Sequence, residues 1–183
     1  MRSRARVRRR SILLGLAALS VLAALLAINM DALNVLGRTR DVVMIGRGGS
    51  TLDELVEALA REQGRTVQGD PEPEKGFFYR SDHFNFAKQG VPAFDPHEGT
   101  DYIGKPAGWG LEMRQRYTRE DYHKPSDKMK DYWDLSGMVQ DGQLYLLIGY
   151  RVANAPKMPE WKLGAEFKAK RDASLRQTVP PNR

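Results

Sequence analysis

The chain contains no cysteine, so disulfides and thiolate metal sites are excluded. It has three histidines, His83, His97 and His123. Any metal site must therefore rest on imidazole, Asp and Glu, and must lean on carboxylates. No acidic residue precedes Asp31. No basic face is spread over the rest of the chain either: the six arginines at 2, 4, 6, 8, 9 and 10 account for the whole net charge of +6. A nucleic-acid-binding domain carries its basic residues over a folded face, so nucleic acid is not an expected partner. Internal repeats and low-complexity tracts are missing as well.

Directly behind the arginines stands an uncharged run, Ser11 to Ile28, reading SILLGLAALSVLAALLAI. A basic tip followed by an apolar stretch is the pattern of an export signal or signal anchor. As a helix the run is about 27 Å long, marginally enough to span a bilayer. It ends without an A-x-A site, which favours an uncleaved anchor. The arginines should stay cytoplasmic and place residues 29–183 outside. The competing reading is a buried core helix or strand. The expected division is thus a signal peptide or membrane anchor at 1–28 and a domain at 29–183.

Within 29–183, strands and helices alternate, which argues for an α/β domain. Asp41 to Ile45 reads as a buried strand running into a glycine loop. Ser50 is placed to cap a helix, with Asp53 at its third position and Leu52, Leu55, Val56 and Leu59 at helical spacing up to Gly64. The link Asp70–Pro73 should be extended. A short helix is expected over Ser81–Lys88 and a strand over Val91–Phe94. The Asp95–Asp121 stretch shows no periodicity, and His97 falls there in a solvated turn. A long helix is expected over Asp134–Ala153, with Leu135, Val139, Leu146 and Val152 on its apolar side and Gly142 and Gly149 sharing a face. A further helix is possible between Met158 and Arg176.

Three segments can carry chemistry. Asp31 closes Asn29-Met30-Asp31 just behind the apolar run, and functional side chains of α/β sheets collect where strands end. A carboxylate there can ligate a cation, although an isolated Asp is more often a turn former or cap. In Tyr122-His123-Lys124-Pro125-Ser126-Asp127 a histidine stands beside a phenol. A neutral imidazole can ligate zinc, the Tyr122 hydroxyl can contact an oxyanion, and Asp127 can orient His123 or cap a helix. The plain alternative is a surface loop. In Phe77 to Phe84, Asp82 and His83 suggest a pair, but adjacent side chains diverge, and Ser81 as a helix cap is the simpler reading.

These segments, with Phe78-Tyr79-Arg80-Ser81-Asp82-His83 and Gly90-Val91-Pro92-Ala93, occur in the order found in metallopeptidase family twenty-eight, and the chain resembles that family from about Asn29 to Ser174. The tail segments Asp131 to Gly137 and Met158 to Lys162 resemble its bacterial members. The resemblance implies a mixed-sheet zinc-peptidase fold of the phosphorylase/hydrolase-like type, a sandwich with helices on both faces. Here it would be incomplete and preceded by one N-terminal apolar helix. It also implies two zinc ions at the strand ends, a peptide substrate, and hydrolysis of N-terminal peptide bonds. By the same resemblance, Asp31 and His123 match metal ligands and Tyr122 matches the phenol contacting the reacting carbonyl. Arg80, Ser81, Asp82 and His83 match a segment near the substrate cleft. Asp127 lies behind His123.

In that family the other three ligands and the catalytic Glu lie upstream of the position matched by Asp31, where this sequence has arginines and the apolar run. At most two of five ligands are matched, and zinc catalysis takes three from protein. The expectation is therefore a truncated, inactive aminopeptidase-type chain. The alternative is a non-catalytic, membrane-anchored binding module with a peptidase-like fold.

Overall fold

A computed structural model describes residues 26–31 and 33–178. Four strands form one mixed sheet: β1 (Ala27–Ile28), β2 (Asp41–Ile45), β3 (Thr66–Gln68) and β4 (Ala93–Glu98), in the order β1-β4-β2-β3. The β1–β4 and β2–β3 pairs are parallel and the β2–β4 pair is antiparallel. β2 is buried at all five positions: the apolar run Val42–Ile45 suits a central strand, and the Asp41 carboxylate is satisfied by the Thr100 and Asp101 amides at 3.0 and 2.9 Å. β1 falls on the last two residues of the apolar run. The remainder of that run, and with it the expected anchor helix, lies outside the described residues. Among the described residues no helix is long and apolar enough to cross a membrane.

Among the described residues five helices accompany the sheet: α1 (Leu52–Glu62), α2 (His83–Ala87), α3 (Trp109–Glu120), α4 (Ser136–Ala153) and α5 (Lys168–Thr178). α1 follows the expected spacing. Its first turn is held by Ser50, whose Oγ accepts from the Leu52 amide at 3.3 Å, and by Asp53, which accepts from the Gly48 amide at 3.1 Å. α1 and α4 share one face of the sheet, where Met44, Val56, Leu59, Phe94, Leu144 and Ile148 interlock. The opposite face is covered by α2 and the C-terminal segment, through Ala87, Trp161, Phe78 and Phe167 around Ala27 and Ala93. Helical elements thus lie on both faces, and the architecture is mixed α/β.

Several local expectations are corrected. The link after Asp70 does not stay extended but closes into a 3-10 turn at Pro73–Lys75, since proline suits the first position of such a turn. Ser81 does not cap α2; its hydroxyl donates to the Phe77 carbonyl at 3.3 Å. β4 continues to Glu98, so His97 is strand rather than turn, paired opposite Val43 with its side chain only 16% exposed. The stretch thought irregular contains α3, which buries only Gly110 and so has no apolar stripe to read. α4 turns Leu144, Tyr145, Ile148 and Val152 inward, leaving Leu135, Val139 and Leu146 exposed.

Candidate functional site

β1 aims the chain at the site. The Asn29 amide donates to the Phe94 carbonyl at 3.2 Å and its side-chain amide to Asp95 Oδ1 at 3.1 Å. Two residues on, Asp31 leaves the sheet exposed at the mouth of a cleft of about 540 Å³. Glu98, Tyr117, Asp127, Lys130 and Trp133 also line that cleft. At its base the Tyr102 hydroxyl donates to Asn34 Oδ1 at 3.1 Å, and burial pushes this phenol well above the ordinary tyrosine range. Three acids of the cleft are engaged: Asp127 accepts from the Tyr117 hydroxyl at 2.8 Å, Asp121 pairs with Lys130 at 3.2 Å, and Glu120 pairs with Arg116 at 2.9 Å. The side-chain carboxylates of Asp31 and Glu98 make no hydrogen bond or ion pair with described residues. Burial, and then the bond to Asp127, raise the Tyr117 phenol, so it remains a neutral donor.

Tyr122 and His123 stand in the loop after α3. His123 has a φ of 58°, and its ring stacks on Tyr122 with centroids 3.9 Å apart. The Tyr122 ring meets Tyr117 at 5.9 Å, so this loop abuts the cleft wall although His123 does not line the cleft. Asp127 is spent on Tyr117 rather than on His123.

The segment around His83 is placed elsewhere. Arg80 lies over the Phe77 ring at 5.8 Å, and Asp82 is exposed. His83 is buried against the edge of Phe78 at 4.7 Å, and neither ring nitrogen has a partner. Burial lowers its pKa and keeps it neutral. None of Arg80, Ser81, Asp82 and His83 lines the cleft that holds Asp31.

A polar network that sequence reasoning missed supports the strand end. Asp95, 1% exposed, holds Asn29 on one oxygen and His97 Nε2 on the other at 2.9 Å. Arg114 Nη2 lies 3.4 Å from His97 Nδ1, and its Nε lies 3.7 Å from Glu72. A guanidinium only donates, so in neutral His97 Nδ1 accepts and the Nε2 proton faces Asp95. Burial acts to lower the His97 pKa, but the bond and charge of Asp95 outweigh it and raise the value above the ordinary range. The available signal was the two-residue spacing of Asp95 and His97, which share one face of a strand.

The mixed α/β fold, with an acid at a strand end beside a lined groove, is consistent with a peptidase-like domain. The sequence matches the model of Peptidase family M28 over residues 19–147, so the chain belongs to peptidase family M28. The match begins inside the apolar run. No curated protein and no solved structure matches the chain.

Membership makes the protein a metallopeptidase-family protein, and the family is generally zinc-dependent. The exposed carboxylate of Asp31 and imidazole of His123 are donor types that suit zinc, and neither is tied to another described side chain by a hydrogen bond. Among the described residues, however, no three His, Asp and Glu side chains stand together to hold an ion. The donor types fit zinc and the donor number does not.

Proposed function

We propose that this chain provides the substrate-facing C-terminal part of a zinc aminopeptidase-type site, acting on N-terminal peptide bonds, and hydrolyses no peptide by itself. The observation that carries this reading is Asp31, delivered by β1 to the mouth of the cleft in a member of the peptidase family. His123 and Tyr122, in the loop against the cleft wall, are the second metal ligand and the carbonyl-contacting phenol of this proposal. Zinc catalysis takes three protein ligands and a positioned base, and the residues assigned here are two ligands and a phenol. Aminoacyl chromogenic substrates with added zinc test the reading. No turnover is expected from the purified chain. Zinc-dependent turnover that His123→Ala abolishes would show a working site and overturn the proposal of inactivity. A non-catalytic, membrane-anchored binding module is the second reading; its support is that Asp127 is bonded to Tyr117 rather than to His123.

A further inference from the structure

α4 is apolar on two sides. One side enters the core through Leu144, Tyr145, Ile148 and Val152. The other faces outward: Leu135, Val139 and Leu146 are 48%, 59% and 73% exposed. An exposed helix normally turns charge to water. Here the only charged residue between Asp134 and Arg151 is Asp141, and it is fully buried.

The outward residues follow a pattern. Leu135, Val139, Gly142, Leu146, Gly149 and Ala153 are spaced four, three, four, three and four residues apart. That is the alternation of a two-helix seam. The space above both glycines is open: a Cβ on Gly142 or Gly149 would meet nothing within 4 Å. Large residues (Leu135, Val139, Leu146) and small ones (Gly142, Gly149, Ala153) therefore share one stripe along an 18-residue helix, about 27 Å long.

We propose that this face of α4 is a dimerisation seam, occupied by α4 of a second copy lying antiparallel across a two-fold axis. The axis passes near residue 144. Leu146 then enters the gap at the partner's Gly142, Val139 the gap at the partner's Gly149, and Leu135 lies over the partner's Ala153. Each large side chain meets a small one, and a two-fold repeats each contact, so one surface complements itself. A parallel, in-register pair would set Leu146 on Leu146 and leave glycine facing glycine. The antiparallel arrangement also opposes the two helix dipoles favourably. Tyr150, 63% exposed, Leu147 and Gln143 border the seam and widen the contact toward the roughly 1,000 Å² that a specific interface needs.

The absence of cysteine makes the test clean, because an introduced cysteine is the only thiol. The full chain, purified in mild detergent, should show the mass of two protomers by light scattering. Val139→Cys and Gly149→Cys chains should cross-link when mixed. Neither should cross-link alone, since like positions lie about 15 Å apart along the axis. Leu146→Glu should give monomers with unchanged helix content, and Gly142→Leu should weaken the dimer by filling its hole. A monomeric wild-type chain overturns the proposal. So does a dimer in which Val139→Cys links to itself, or one that survives Leu146→Glu. A monomer whose Val139→Cys thiol resists alkylation would assign the face to residues 11–25 of the same chain or to detergent, and would equally defeat it.

Discussion

Arg65 and Asp141 meet at 2.7 Å with side chains 1% and 0% exposed, and Arg65 also donates to the Asp41 carbonyl and to Thr39. Burying an ion pair costs each partner its hydration, so its value depends on neither being left alone. Burial raises the Asp141 pKa to about 6, against the lowering influence of Arg65. An acid whose folded pKa lies above its unfolded value binds more protons in the native state across that window. Asp141 therefore subtracts stability as pH rises from about 4 to about 6. Asp141→Asn mimics the protonated form and lacks this loss. Urea melts at pH 4 and pH 7 should show the stability difference, wild type minus variant, fall by about 2 kcal/mol on going to pH 7. A difference that does not change with pH would refute the assignment. Removing the cation instead, by Arg65→Met, leaves a buried carboxylate alone and should cost about 3–5 kcal/mol at neutral pH.

At the scale of elements, the turn from α2 into β4 sets how the C-terminal segment closes the second face of the sheet. Gly90 sits in this turn with a φ of 86°, and its carbonyl accepts from Trp161 Nε1 at 3.0 Å. A Cβ at this position would lie 2.6 Å from the backbone nitrogen of Arg171, in α5. Both the left-handed backbone and the close approach demand glycine. Gly90→Ala should cost about 2 kcal/mol or more in thermal or urea unfolding, with Trp161 fluorescence reporting the loosened segment. An unchanged midpoint would mean that α5 does not seat on this turn. The same turn leads into the strand that presents Asp95 and His97, so the site is braced from beneath by the packing of the distal segment.

For the whole molecule, the arginine tip and the apolar run are proposed to carry the chain to a membrane, with residues 29–183 outside the cytoplasm. The support is the asymmetry of charge around the run. Residues 1–28 fused to a reporter should export it, and a reporter left soluble in the cytoplasm defeats the idea. A membrane-held chain with an apolar face on α4 would pair more readily than a freely diffusing one, because confinement raises its effective concentration.

The sequence by itself determined the features that depend on local pattern. The run DVVMI was legible as a buried strand because Val42 to Ile45 are four successive apolar residues ahead of a glycine loop, and α1 was legible because its apolar residues recur at helical spacing. Asp31 could be placed at a strand end from the residues before it, and the order of the short motifs was enough to point to the family. Tertiary structure decided what pattern leaves degenerate. α4 carries two apolar stripes, and periodicity cannot say which faces inward; packing against α1 chose Leu144, Tyr145, Ile148 and Val152. α3 was invisible because a helix that buries one glycine has no stripe. Asp95-Pro96-His97 looks like a turn until β4 pairs antiparallel with β2, and only that register turns His97 from a solvated side chain into the partner of a buried carboxylate.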